Sequence, residues 1–177
     1  LLSYFPLKDN KLNPEVTGMQ DDLSAIRAKV DRVTNEVIDS LEKGATYHGY
    51  KNTEAAPSLD YYLIEKKEFL SAIPLSNNQI PWNPGVFRPD YYKILSDLNI
   101  CNYVENQGVK QIWGWGYHYG NIEPTESNMA GPHGDISNSN RKNDLPVCKK
   151  TYTVYDYNYG RSYSMAVEDH NHQIEAI

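Results

Sequence analysis

The stretch QIWGWGYHYGNIEPTE, residues 111–126, decides the fold because an aromatic strand runs directly into a polar loop. Side chains of a strand alternate between its two faces. One face would carry the rings of Trp113, Trp115, Tyr117 and Tyr119. The other would carry glycines and a single larger side chain, His118, which leaves room for a ligand or another backbone. We therefore expect this stretch to be the functional centre.

Segments with strand and helix patterns alternate on both sides of this stretch. Predicted strands cover residues 1–7, 59–65, 109–115 and 151–159, and predicted helices cover 22–44, 90–100 and 162–177. The first helix has the clearest pattern, since apolar residues recur in it at three- and four-residue steps. Prolines predict an irregular connection over 74–84, and polar residues predict a loop over 121–150. The alternation predicts an α/β fold with a mixed or mostly parallel sheet covered by helices.

A length of 177 residues fits one domain. The chain starts without Met and ends in a helix that has no capping residue, so we expect residues 1–177 to be a single α/β domain or the N-terminal part of a larger one. No apolar run approaches the length of about 20 residues that crosses a bilayer. A net charge of -6 without a basic run argues against nucleic acid as a partner.

The two cysteines, Cys101 and Cys148, are too far apart in sequence for a Cys-x-x-Cys metal or redox motif. They would form a disulfide in an exported protein and remain two buried thiols in the cytosol. Loops rich in Tyr, Asn, Gly and Pro favour the exported alternative. We therefore predict a disulfide and an extracellular or secreted location.

Candidate catalytic residues lie at and beyond the end of the aromatic strand, where α/β sheets bind their ligands. His118, Glu123 and Glu126 could act as general acids and bases, and two carboxylates are what glycoside cleavage requires. A solvated turn is the alternative for the two glutamates. The rings of Trp113, Trp115 and Tyr117 are candidates for substrate binding, and the alternative for them is core packing.

The last predicted helix places His172 on one face with Glu168 and Glu175. We predict a metal or proton-transfer site from His172 and Glu175, joined in space by His118. Helix-surface ion pairs are the alternative. His170 falls on the apolar face and is predicted to be a packed, hydrogen-bonded histidine.

Oxygen ligands suited to calcium occur at Gly134-Asp135 and Asn143-Asp144, without the spacing of an EF-hand. Zinc and calcium are therefore both open as cofactors.

The segment His172-Gln173-Ile174-Glu175 resembles the His-x-x-Glu pair with which zinc carboxypeptidases hold their metal. The third ligand of that family, a distant histidine, would lie beyond Ile177. More widely, residues 115–120, 126–129 and 172–177 resemble segments of a group of microbial proteins taken to be secreted, to which no activity is assigned. That resemblance implies export and a longer chain, and it assigns no catalytic residue.

Three functions fit these observations. The first is an exported metal-assisted or carboxylate-dependent hydrolase acting on a glycan or a peptide. The second is a non-catalytic carbohydrate-binding or adhesive domain that presents aromatic rings to sugars. The third is a structural assembly module that packs on a partner, such as the remainder of its own chain.

Overall fold

The computed structural model describes residues 1–46, 52, 54–137 and 144–177. In chain order its elements are β1 (Leu2–Tyr4), β2 (Leu7–Lys8), β3 (Lys11–Leu12), α1 (Pro14–Thr17), α2 (Leu23–Gly44), β4 (Lys67–Phe69), β5 (Leu75–Ile80), β6 (Asn83–Pro89), α3 (Tyr91–Asp97), α4 (Ile100–Asn106), β7 (Gln111–Gly116), β8 (Ser127–Gly131), β9 (Gly134–Ser137), β10 (Tyr152–Asn158) and α5 (Tyr163–Ala176). No helix in these described ranges is long and apolar enough to cross a membrane.

The central sheet has the strand order β4-β1-β7-β10-β8-β9. Strands β4, β1, β7 and β10 run parallel, and β8 and β9 form an antiparallel hairpin beside β10. The predicted α/β fold with a mixed, mostly parallel sheet is confirmed. From β1 the chain reaches β4 on one side and β7 on the other. The order of strands therefore reverses between β1 and β7, and ligands of such sheets bind beyond the carboxyl ends at such a reversal.

Helices α2 and α5 cover the face of the sheet that carries the aromatic rings. The indole nitrogen Nε1 of Trp115 donates to the hydroxyl of Thr34 on α2 over 3.0 Å. The ring of Trp113 lies 5.4 Å from the ring of His170 on α5. Both tryptophans are buried, so this face of β7 belongs to the core.

The glycine face of β7 is filled by neighbouring side chains. A methyl group at Gly114 would lie 2.7 Å from Oδ1 of Asp156, and one at Gly116 would lie 2.6 Å from Cδ1 of Ile73. The expectation of an open face with His118 alone in it is therefore wrong. Strand β7 ends at Gly116, and His118 lies beyond it in the following loop.

Several predicted segments differ from the structure. The predicted helix over 90–100 ends at Asp97, and a second helix, α4, begins at Ile100 after the left-handed backbone of Asn99. Residues 59–65 form no strand, because their backbone pairs with no neighbouring strand. Their apolar side chains stay largely exposed, and pairing with β1 starts at Lys67. The proline-rich segment forms the hairpin β5–β6, which lies outside the central sheet and meets loop 117–126 through one bridge between Phe87 and Ile122. Edge strands of this kind tolerate proline. The predicted loop 121–150 contains the hairpin β8–β9.

The predicted disulfide between Cys101 and Cys148 is confirmed. It joins the start of α4 to the segment that leads into β10. The link lies on the side of the molecule where β7 and β10 begin, opposite to the loop that carries His118.

Candidate functional site

The candidate site lies at the carboxyl ends of β7 and β10, where loop 117–126 meets helix α5. The loop is fixed there by the backbone, because the N–H of Asp156 on β10 donates to the carbonyl of Glu126 over 3.0 Å. His172, on the third turn of α5, reaches the same place. Residues 46 positions apart in sequence therefore share one surface.

Glu126 and His172 form the closest pair of the site. Nδ1 of His172 lies 2.7 Å from Oε2 of Glu126, and the two side chains are 38% and 37% exposed, so both are accessible to a substrate. Nε2 of His172, on the opposite side of the ring, lies 3.9 Å from a carboxylate oxygen of Glu168. The hydrogen bond to Glu126 raises the pKa of His172, and nearby negative charge adds to that effect. The predicted face shared by His172 and Glu168 is confirmed.

His118 differs from His172 in its environment. Burial lowers the pKa of His118 to about 4, and the positive charges of Arg161 and Arg88 act in the same direction. Its ring is therefore neutral at physiological pH. Its Nε2 is buried and has no hydrogen-bond partner among the residues that the structure describes. A neutral imidazole in this position can give or accept one hydrogen bond with a bound molecule.

Two buried aspartates lie near the site. Asp169 on α5 is within electrostatic reach of both members of the pair, whereas the side chain of Asp156 on β10 faces Gly114 and Tyr91. Burial raises the pKa of Asp169 on α5 to about 7, and the charge of Glu126 adds to this effect. Burial also raises the pKa of Asp156 on β10 to about 8, while a hydrogen bond with Tyr91 opposes the shift. Both groups can therefore hold a proton at neutral pH. Buried carboxyl groups whose pKa is raised into the neutral range are typical of sites that transfer protons.

Arg88, at the end of β6, holds the loop that leads to Glu126. Its Nη1 donates to the carbonyl oxygens of Glu123 and Pro124, each over 2.9 Å, and also lies 3.5 Å from a carboxylate oxygen of Glu123. Glu123 is therefore paired with an arginine. Glu126 is the glutamate that meets a histidine.

The structure brings together some of the predicted residues and separates others. His118, Glu126 and His172 share the carboxyl ends of the strands, and each lies within electrostatic reach of at least one of the others. Trp113, Trp115 and Tyr117 are buried, and their rings pack against helices and neighbouring strands. Their role in substrate binding stays a prediction. His170 is confirmed as a packed histidine, with Nε2 2.6 Å from the hydroxyl of Tyr157.

The predicted metal ligands form no compact group in the structure. Within the described ranges, the one set of three His, Cys, Asp or Glu side chains with converging ligand atoms is Cys101, Glu105 and Cys148, and its cysteines are bonded to each other. The zinc site of His118, His172 and Glu175 stays a prediction. For calcium, Asn143 lies outside the described residues, and Asp144 accepts a hydrogen bond from the amide of Asn128.

Four residues of the site were missed at the level of sequence: Arg88, Asp156, Arg161 and Asp169. Asp156 carries a signal, because it is the one acidic residue in the predicted strand that contains it. Asp169 also carries one, because it lies three residues before His172 on a predicted helix. The two arginines carry none, since they come from segments whose position depends on the tertiary fold.

Comparison with models of protein families, with curated proteins and with solved structures finds no match for this chain. Its function is therefore argued from the site alone.

Proposed function

We propose that this chain is an exported hydrolase acting on a glycan or a peptide, with His172 as its general base and acid and Glu126 as the residue that positions it. The observation that carries the proposal is the contact of 2.7 Å between Nδ1 of His172 and Oε2 of Glu126. A carboxylate that accepts the Nδ1 proton fixes the ring and its tautomer. Nε2 is then left to accept a proton from water.

The proposed reaction begins with a water molecule beside Nε2 of His172. As the water attacks the substrate, its proton passes to Nε2, and the imidazolium that forms is stabilised by Glu126 and by Glu168. In a peptide the same proton then passes to the leaving amine as the tetrahedral intermediate collapses. In a glycan the leaving oxygen takes its proton from solvent, and Nε2 returns the proton of the attacking water to solvent. The half-exposed positions of Glu126 and His172 support this role, because the reacting atoms must be reached from solvent.

The protonation state of the buried Asp169 supports the proposal. Asp169 lies within electrostatic reach of both Glu126 and His172, and its pKa of about 7 lets it carry a proton at neutral pH. A neutral Asp169 adds no negative charge to those of Glu126 and Glu168 beside the histidine. Its ionisation at higher pH favours the protonated form of His172, which is the inactive form of a general base.

The experiment uses hydrolysis of a panel of oligosaccharides and peptides by the wild type, His172→Asn and Glu126→Gln. We expect His172→Asn to lower kcat by about 100- to 10,000-fold, the usual contribution of a general acid or base. Glu126→Gln should lower kcat less and should shift the acidic limb of the pH profile to lower pH, because the amide no longer raises the pKa of His172.

His133→Asn is the matched control, since His133 is an exposed histidine in the turn between β8 and β9, at the other end of the sheet. It should keep wild-type rates. Full activity of His172→Asn, or an unchanged pH profile in Glu126→Gln, would contradict the proposed roles.

A further inference from the structure

One tryptophan differs from the other two in being exposed. Trp82 lies in the turn between β5 and β6 and is 56% exposed, whereas Trp113 and Trp115 are buried. An indole ring in water costs free energy because its large apolar surface is hydrated. Tryptophan is enriched at protein interfaces, where part of its ring is packed and part stays in contact with water.

The position of Trp82 relative to the site follows from a chain of contacts. Its ring lies 5.8 Å from the guanidinium carbon of Arg88. Arg88 in turn holds the carbonyls of Glu123 and Pro124. Two residues after Pro124 the chain reaches Glu126, the partner of His172.

Backbone hydrogen bonds hold the hairpin β5–β6 against the loop of the site. The N–H of Phe87 donates to the carbonyl of Asn121 over 2.8 Å, and the N–H of Glu123 donates to the carbonyl of Phe87 over 3.0 Å. These two bonds attach the hairpin to loop 117–126 like a short additional strand. The hairpin therefore places Trp82 on the same side of the molecule as Glu126.

We propose that Trp82 is a stacking platform for a sugar ring, which makes the substrate of this site a glycan. The inference rests on the proposed function and narrows its substrate class. A pyranose ring has an apolar face of C–H groups, which packs on an indole, and a rim of hydroxyl groups, which donate to carboxylates. This site offers both, with Trp82 on one side and the carboxylates of Glu123 and Glu126 in the adjoining loop.

A peptide would need a different arrangement. Extended peptides bind by adding a strand to an exposed sheet edge or by filling pockets with alternate side chains. Loop 117–126 does not offer such an edge, because its backbone groups at Asn121 and Glu123 are already bonded to Phe87. The flat indole and the neighbouring carboxylates favour the glycan.

Intrinsic fluorescence gives a direct test, because Trp82 is the exposed one of the three tryptophans. Acrylamide quenching would be measured on the His172→Asn chain, which keeps both carboxylates and is expected to turn over slowly, with chitohexaose, cellohexaose or a polar hexapeptide as the added probe. We expect at least one hexasaccharide to protect the fluorescence from acrylamide and the hexapeptide not to do so. Protection by the peptide alone, or by none of the three probes, would overturn the proposal.

Variants of Trp82 complete the test. Trp82→Ala should weaken the affinity for the protecting saccharide about tenfold, as expected for the loss of one stacked ring. The affinity of Trp82→Ala would be measured by calorimetry, since this variant lacks the exposed tryptophan whose fluorescence reports binding. Trp82→Phe should retain most of the affinity. Tyr62→Ala is the matched control, because Tyr62 is 82% exposed in the segment before β4, and it should bind like the parent.

The outcomes separate this inference from the proposed function. If a hexasaccharide protects Trp82 and the wild type cleaves no glycan, the proposed hydrolysis fails and the sugar platform stands. If the wild type cleaves a glycan and Trp82→Ala leaves KM unchanged, the platform fails and the hydrolase stands.

Discussion

At the amino ends of β1 and β7 the protein contains an apolar cavity of about 380 Å³, whereas at their carboxyl ends it gathers charged side chains. Leu2, Ile38, Leu98 and Ile112 are among the residues that line the cavity. The disulfide lies near this end, since Ile100 and Tyr103 on either side of Cys101 also line the cavity. The opposite end contains the buried Asp169 and the pair Glu126–His172.

The two ends of the sheet therefore affect the stability of the fold in opposite directions. Apolar contacts and a covalent link at the amino ends favour folding. Desolvated carboxyl groups at the carboxyl ends oppose folding, because burial without full compensation costs free energy. Sites that transfer protons commonly carry such a cost.

The largest effect is expected at the amino ends, from removing the disulfide in Cys101→Ser/Cys148→Ser. The two cysteines are separated by 47 positions, and a closed loop of that size contributes about 4 kcal/mol in the chain-entropy model. We expect the free energy of unfolding to fall by about 2 to 4 kcal/mol in guanidinium chloride titrations.

The same variant should retain its hydrolytic rate below its melting temperature, since the disulfide and the site lie at opposite ends. Reduced wild type, at equal protein concentration, should unfold like the double variant. A loss of activity in the folded variant would contradict the separation of the disulfide from the site.

The next effect concerns the pH dependence of stability at the carboxyl ends. Asp156 has a pKa of about 8 in the folded protein, against an ordinary value near 3.9 in an unfolded chain. Between these values the folded state holds a proton that the unfolded state has released. The contribution of Asp156 therefore makes stability fall as pH rises from about 4 to 8.

The variant Asp156→Asn removes this dependence and stays neutral. It should be more stable than the wild type at pH 8, by on the order of 2 kcal/mol, and the difference should shrink towards pH 4. Urea titrations at several pH values measure this difference. Asp97→Asn serves as the control, because Asp97 is exposed and paired with Lys93. A difference that grows towards acid would contradict the sign.

These two ends were predictable from sequence to different degrees. Amphipathic periodicity gave α2 and the alternation of strands and helices gave the fold class, since both depend on short-range patterns. The position of His118 beyond a strand end also followed from local pattern. The filling of the glycine face did not, because Asp156 and Ile73 reach Gly114 and Gly116 from other segments.

The pairing of Glu126 with His172 lay outside what spacing could establish. It depends on β10 aligning with β7 and on α5 folding back towards loop 117–126. Raised pKa values of buried acids also require the tertiary structure, because desolvation by other segments causes them. Trp82 was not predicted as a binding residue, because the sequence alone does not show that it is exposed whereas Trp113 and Trp115 are buried.

A smaller effect is expected from Gly114→Ala, which would disturb the carboxyl ends through Asp156. The new methyl group would meet the carboxyl of Asp156 at 2.7 Å, so this side chain would have to move and weaken its hydrogen bond with Tyr91. Overpacking of this kind costs about 1 to 3 kcal/mol. Urea titration at pH 5 measures the loss without interference from ionised Asp156.

The matched control is Gly116→Ala, whose methyl group would meet only the terminal carbon of Ile73. That side-chain end can rotate away. Alanine also reduces the conformational entropy of the unfolded chain, which stabilises a protein by about 0.4 to 1 kcal/mol where its backbone conformation is compatible. We therefore expect Gly116→Ala to be close to neutral. Equal losses in the two variants would contradict a special role for Asp156.

The smallest effect is expected from filling the cavity at the amino ends with Ile38→Phe. Ile38 lies on α2 and lines the cavity of about 380 Å³, so a larger ring has space to extend into it. Cavity-filling substitutions commonly stabilise a protein by about 0.5 to 2 kcal/mol, and the slightly lower helix propensity of Phe places this one at the low end. Thermal unfolding measures the gain, and glycan hydrolysis should stay at the wild-type rate. A clear destabilisation would mean that the cavity is closed around Ile38 in solution. The amino ends of the strands would then be as closely packed as their carboxyl ends.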